Sequence, residues 1–249
     1  MRTRATVGFV CVLSLLFSLP GRAQDKLPAG REIIDRYVQA SGGREAMSKH
    51  SSRRAVGKIS MPAQGVEGDV ELLAARPDLM RLKMTISGVG EIQSGYNGKV
   101  AWSLNPLTGP MLMQGKSLDQ ARADADFDSA LHLDTQYKAI ETLEKTTFEG
   151  RPAYKVRAVR MTGDEDIEYY DAENGLMIGA EVTRESPMGP VKATHIEADY
   201  KDFGGVKIAT KITQRLMGTE QVITISDVEF DKVDRSAFEL PPAIQALVK

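Results

Sequence analysis

The sequence predicts an α+β chain that is mainly β: a curled antiparallel sheet, or half-open β-barrel, of about eleven strands capped by helices. Three observations predict it. From Arg54 onward, apolar and polar residues alternate with a period of two through most of the chain. Turn clusters rich in Gly, Pro, Asn and Asp separate those runs at short, regular spacing, as in an antiparallel meander. Helical periodicity is confined to the start and the middle. So many strands do not lie flat, and the helical segments are expected to cover the face that a curled sheet would otherwise expose.

Met1 to Ala23 reads as a cleavable export signal: Arg2 and Arg4 form the basic start, Val7 to Leu19 is apolar, and small residues Gly21 and Ala23 precede a cut ahead of Gln24. The apolar run is shorter than the roughly 20 residues a membrane helix needs. Cys11, the chain's one cysteine, lies inside that run and is expected to leave with it. The mature protein is then a periplasmic domain spanning residues 24–249, held together by its core and by no disulfide.

Between Ala29 and His50, Ile33, Ile34, Tyr37 and Val38 recur at helical spacing, Gly42-Gly43 stops the run, and a second short helix is expected from Arg44 to Lys49. Val66, Val70 and Leu72 then oppose Glu67, Asp69 and Glu71 on one strand. On the next, Met80, Leu82, Met84 and Ile86 oppose Arg81, Lys83 and Thr85. Asn97-Gly98 marks a tight hairpin turn ahead of Val100, Trp102 and Leu104, and a short strand is expected around Met111 and Met113. Ser117 followed three residues later by Gln120 reads as a capping box, opening a helical insertion from Ser117 to Phe127. Seven further strands are expected, at 139–148, 153–161, 166–171, 176–185, 191–200, 206–217 and 221–230, separated by turns such as Glu149-Gly150-Arg151-Pro152 and Phe203-Gly204-Gly205.

Composition narrows the function. Removing the signal takes three arginines from the 32 basic residues and none of the 34 acids, leaving a net charge of about −5. The charge is spread along the chain and makes neither a basic footprint for nucleic acid nor a polybasic segment for anionic lipid. His50, His132 and His195 are far apart and no pair has metal-ligand spacing; His50 ends a helix, and His195 alternates with Ala193 and Glu197 on a strand. Asp124, Asp126 and Asp128 alternate like a calcium loop, but Ser129 and Thr135 stand where such a loop needs its glycine and its bidentate glutamate, so a solvated acidic segment is expected. Gly163-Asp164-Glu165-Asp166 reads as a polar hairpin tip. No activated nucleophile can be named, so the chain is read as a non-enzyme without metal or cofactor. The informative apolar residue is methionine, whose unbranched, polarizable side chain suits both cores and pockets for flexible chains. The expected cavity lining is Met80, Leu82, Met84, Ile86, Trp102, Leu104, Met111, Met113 and Phe127.

Two segments carry a resemblance. Gly95-Tyr96-Asn97-Gly98-Lys99-Val100-Ala101-Trp102 is similar to the G-x-D/N-G-x-x-x-W hairpin of the periplasmic lipoprotein-carrier superfamily, which includes LolA, LolB and LppX-like proteins. Ala198-Asp199-Tyr200-Lys201-Asp202-Phe203-Gly204-Gly205-Val206-Lys207-Ile208 resembles the Y-x-D-[FY]…G-[VI]-K-[FIL]-P segment of their late strands, with Ala209 where proline is usual. The likeness extends to the order of elements along most of the mature chain. It implies a half-open barrel capped by helices that holds lipid or lipoprotein acyl chains, with transient membrane contact. It also implies an alternative, an envelope-stress sensor of RseB-like type that uses the same fold to bind an envelope protein partner.

Overall fold

The chain enters its sheet in the middle rather than at an edge. The computed structural model describes residues 26–186 and 189–248, so the export signal expected at Met1 to Ala23, with Cys11, lies outside the described residues. Helices α1 (Gly30–Ala40) and α2 (Gly43–Lys49) come first, then six strands: β1 (Ser52–Met61), β2 (Val66–Ala75), β3 (Leu79–Ile86), β4 (Gly90–Asn97), β5 (Ala101–Asn105) and β6 (Gly109–Leu112). A crossover follows, made of α3 (Lys116–Asp124), a 3-10 turn at Ser129–Leu131 and α4 (Leu133–Gln136). Seven more strands return: β7 (Tyr137–Phe148), β8 (Arg151–Arg160), β9 (Glu165–Asp171), β10 (Met177–Ser186), β11 (Gly189–Phe203), β12 (Val206–Leu216) and β13 (Thr219–Phe230). A 3-10 turn at Arg235–Phe238 and α5 (Pro242–Gln245) come last.

All thirteen strands form one antiparallel sheet in the order β6-β5-β4-β3-β2-β1-β13-β12-β11-β10-β9-β8-β7. The chain steps outward from β1 to one edge, crosses to the opposite edge, and steps inward until β13 pairs with β1. Thirteen strands replace the expected eleven because β1 and β4 hide in the sequence. β1 carries Arg53, Arg54 and Gly57, and β4 reads Gly-Glu-Ile-Gln-Ser-Gly-Tyr-Asn with Gln93 buried, so neither alternates cleanly.

The sheet is open but strongly curled. Helix α3 packs against β4 and β5 on one side and β10 on the other. In a flat sheet β4 and β10 would lie about 34 Å apart at the usual strand spacing, whereas nine helical residues span only about 13.5 Å. Bulges supply the curvature: the register shifts at Val56/Gly57, Met177/Gly179, Tyr137/Ala139 and Thr142/Glu144. At the first of these a Cβ on Gly57 would sit 2.1 Å from the Thr224 carbonyl oxygen, so only glycine permits that approach.

The period-two alternation gives the sheet two distinct faces. Helix α1 covers the inner face of β8 and β9, its Ile33 and Ile34 packing with Val156 and Tyr170, and Leu133 of α4 joins them. Each such apolar side chain stabilises by about 1.5–3 kcal/mol on burial. The outer face of β2 and β3 is covered by the C-terminal segment, where Phe238 packs on Leu73, Ala75 and Leu79. The α1–α2 junction turns at Gly42, whose φ of 118° and 2.1 Å approach to the Gly205 carbonyl oxygen admit no side chain.

Helix α3 begins one residue before the expected Ser117, with Gly115 as N-cap, and ends at Asp124 rather than at Phe127. The capping box does not form. Ser117 Oγ donates to the Gln114 carbonyl, and Gln120 reaches instead to two distant partners, donating to Asp164 Oδ1 in the β8–β9 turn at 2.9 Å and accepting from the Glu185 amide of β10 at 2.8 Å. Tertiary partners outbid the local cap. The segment read as a polar hairpin tip is likewise drawn inward, with Asp164 5% and Asp166 1% exposed.

Candidate functional site

The inner face is divided into an apolar half and a charged half. In the first half, alternation on β3 puts Met80, Leu82, Met84 and Ile86 on one face, opposite Ala74, Leu72, Val70 and Gly68 of β2. Across the other edge of β3 they face Tyr96, Ser94, Ile92 and Gly90 of β4. The pairing β1 to β13 extends this surface with Ala55, Ile59, Ile223, Ile225 and Val228. A closed core would bury all of these, yet Leu72, Leu82, Met84, Ile92 and Ile223 are only half-buried. The result is an apolar trough.

Met111 pairs with Ser103 and belongs to the inner face. Met113 packs with Tyr96, Ala101 and Ala125 under α3. Phe127 comes from the crossover, its amide donating to the Pro77 carbonyl at 3.1 Å and its ring lying 5.5 Å from the Arg76 guanidinium. Two expected lining residues are misplaced: Trp102 pairs with Gly95 and Leu104 with Gln93, which puts both on the outer face. The reason is the one-residue offset along β5, where Ala101 and Ser103 point inward. Trp102 is 2% exposed, its indole occupying the space that the missing Cβ of Gly95 leaves.

Two cavities open off this face. One, of about 270 Å³, lies beneath the crossover and is lined by Tyr37, Arg53, Leu72, Ala74, Met80 and Phe127 among others. The second, of about 510 Å³, sits over β10 to β12, lined by Val191, Ala193, His195, Gln214 and Leu216 with Arg184 at its side. Burial, helped by the nearby Arg184, pushes the His195 imidazole down, so it is neutral at physiological pH.

The charged half holds the crossover. Arg160 and Arg184 alternate with Asp124 and Asp166 in a ring: Arg160 Nε to Asp166 at 2.5 Å, Arg160 Nη1 to Asp124 at 3.0 Å, Arg184 Nη1 to Asp166 at 3.0 Å and Arg184 Nε to Asp124 at 3.3 Å. Burial alone would lower the Arg160 guanidinium, but Asp124 and Asp166 outweigh it and hold the group above its usual value. Lys116 adds contacts to Asp164 at 3.1 Å and Glu185 at 3.2 Å. At the other end of the crossover Arg76, in the β2–β3 turn, grips Asp128 through two nitrogens at 2.6 and 2.7 Å and donates to the Ser48 carbonyl at 2.9 Å. Asp126 takes His132 at 3.1 Å and Gln136 at 2.5 Å. Asp124 and Asp128, read as part of a solvated segment, are thus tethers, and the sequence carries no signal for it because Arg76, Arg160 and Arg184 are distant along the chain, while Asp126 binds locally to the Asp128 amide, His132 and Gln136.

His50 likewise does more than end a helix. Its Nδ1 lies 2.8 Å from Asp231, its Nε2 is 3.4 Å from the Gly204 carbonyl, and its ring stacks on Phe230 at 3.9 Å. Hydrogen bonds from His50 and Ser51 hold the Asp231 carboxyl far below the usual carboxylate range.

No protein-family profile matches the chain, and no curated protein matches it in sequence. Solved structures do match. A LolA superfamily protein from Nitrosomonas europaea is 14% identical over 86% of this chain and 99% of its own, with a TM-score of 0.56. A DUF1329 family protein from Desulfovibrio piger is 12% identical over 86% and 98%, also at 0.56. An outer membrane lipoprotein-sorting protein domain from Vibrio parahaemolyticus is 14% identical over 84% and 96%, at 0.54. The chain has the LolA-like fold.

Proposed function

We propose that this protein is a periplasmic, non-catalytic carrier that shields the acyl chains of a lipid or an acylated protein along the apolar half of its inner face. The observation that carries this reading is the half-buried strip of Leu72, Leu82, Met84 and Ile92, continuous across three strands and roofed at its Leu72 end by a tethered crossover. An apolar surface of that shape is where flexible chains bind. Each methylene taken from water contributes about 0.8 kcal/mol, so a long chain is held tightly and its release needs a membrane or a partner that competes for it. Export fits the signal read at Met1 to Ala23, with cleavage after Ala23 and residues 24–249 as the mature domain. The likeness to lipoprotein-sorting proteins supports the same reading through shape.

Two substitutions test the face. Met84→Glu places a charge on the inner strip, and Leu104→Glu places the same charge on the outer face of the neighbouring hairpin. Displacement of a fluorescent fatty acid should weaken at least about tenfold in the first, from the cost of a charge in an apolar site, and stay unchanged in the second. Equal behaviour of the two variants contradicts the assignment. A protein that co-purifies while the trough takes up no lipid would favour the interaction module instead.

A further inference from the structure

The inner face carries four arginines that reach the crossover or the cavity beneath it, and three of them are paired: Arg76 with Asp128, and Arg160 and Arg184 with Asp124 and Asp166. The fourth is Arg53. It lies on β1 opposite Ala74 and Phe230, and lines the 270 Å³ cavity with Tyr37, Leu72 and Met80. Among the described residues no carboxylate pairs with it, no protein acceptor takes a hydrogen bond from it, and its Nε is buried without a partner. Arg53 is half-buried, with its Nε enclosed. A guanidinium cannot shed its proton, and an enclosed charge is ordinarily paired.

Nothing in the cavity wall supplies the missing anion. Asp124, Asp126 and Asp128 face the same space, but each is committed to the arginines, His132 or Gln136 already described. His50 uses both ring nitrogens elsewhere. The Tyr37 phenol is pushed up to about 12, chiefly by burial, and is neutral at physiological pH.

We propose that Arg53 is the head-group site of the trough and receives the carboxylate of a single-chain fatty acid, whose tail runs from Leu72 and Met80 along Leu82 and Met84. This rests on the carrier reading and names its ligand class. The planar fork of a guanidinium matches a carboxylate with two parallel hydrogen bonds. A phosphate monoester fits less well, because the three aspartates on the roof disfavour a second negative charge.

The test is titration of the mature protein with palmitate and with methyl palmitate, both below their aggregation limits, for the natural chain and for Arg53→Met. The natural chain should bind the acid at least about tenfold tighter than the ester, as a charge-assisted pair in an enclosed site provides. Arg53→Met should bind both at the affinity the natural chain shows for the ester, and should melt no lower than the natural chain, since it removes an unpaired, half-buried charge. Acid and ester binding equally to the natural chain, or a preference that survives in Arg53→Met, overturns the head-group site and leaves the carrier reading standing. Failure of both ligands to bind the natural chain overturns both.

Discussion

At the scale of single residues, the buried carboxyls of the sheet divide into two classes set by their surroundings. Asp164, under α3, and Asp171, on the outer face beside Ala153, sit low because hydrogen bonds and cations outweigh the cost of burial. Glu168 and Glu197 sit high because burial dominates. Tyr200 explains how Glu197 is held: its Oη lies 2.6 Å from Glu197 Oε2 and 2.9 Å from the Met177 carbonyl, and one hydroxyl proton cannot serve both. A protonated Glu197 donating to the tyrosine oxygen satisfies all three groups. The linkage has a definite sign. A raised folded-state pKa means the folded protein keeps a proton that the unfolded chain has lost, so stability falls as pH rises from about 4.3 through the folded-state value. Glu197→Gln, whose amide donates without a charge, is predicted to gain on the natural chain in urea unfolding as pH rises above about 4.3. A difference that does not change with pH would contradict this placement of the proton.

At the scale of elements, the crossover is the one placed over the entrance to the trough. It roofs the cavity beneath it and is tied at two points, Arg76–Asp128 on one flank and the Arg160–Asp124–Arg184 grouping on the other. The first tie is smaller, one arginine to one aspartate, whereas the second joins two arginines to Asp124. Asp128→Asn keeps the shape, removes the charge and is expected to weaken the tie by about 1 kcal/mol, which speeds fatty-acid loading several-fold in stopped-flow while the second tie keeps the chain folded. Unchanged loading would mean that the roof does not gate the trough. The C-terminal segment serves the outer face instead. Phe238→Ala there should cost about 3–5 kcal/mol of stability, read by denaturant unfolding, and leave ligand affinity of the folded protein unaltered.

These two elements also show what a linear reading can reach. Helix α1 is legible because Ile33, Ile34 and Val38 repeat at helical spacing and bury on that face. The β4–β5 turn is legible because Asn97 and Gly98 build it locally, Asn97 Oδ1 accepting from the Val100 amide at 2.8 Å, although β4 itself is not. Helix α3 is half legible: it exists, but Gln120 reaches to the β8–β9 turn and to β10, some 44 to 65 residues away, rather than forming the local cap. Trp102 is misread for a related reason. Its face depends on the β5 register and on what covers each side of the sheet, neither of which is written in the apolar content of the strand. Arg53 looks like any strand arginine until the absence of a partner is visible in three dimensions.

At the scale of the whole molecule, the topology unites the fold with the proposed use. Entering mid-sheet and filling both wings outward and inward leaves β6 and β7 as distant edges, so the single connection between them must cross the inner face. That crossing supplies the roof, and the curl it bridges supplies the trough. Curvature was legible from strand number, while the split between an apolar and a charged half was not, because it arises from which strands become neighbours. The central claim is that the trough holds an acyl chain. Native mass spectrometry of the mature protein purified from its own envelope, followed by organic extraction and lipid analysis, tests it most directly. Near-stoichiometric lipid or acylated protein is the predicted result; a clean protein mass, with no uptake of added fatty acid, would contradict it.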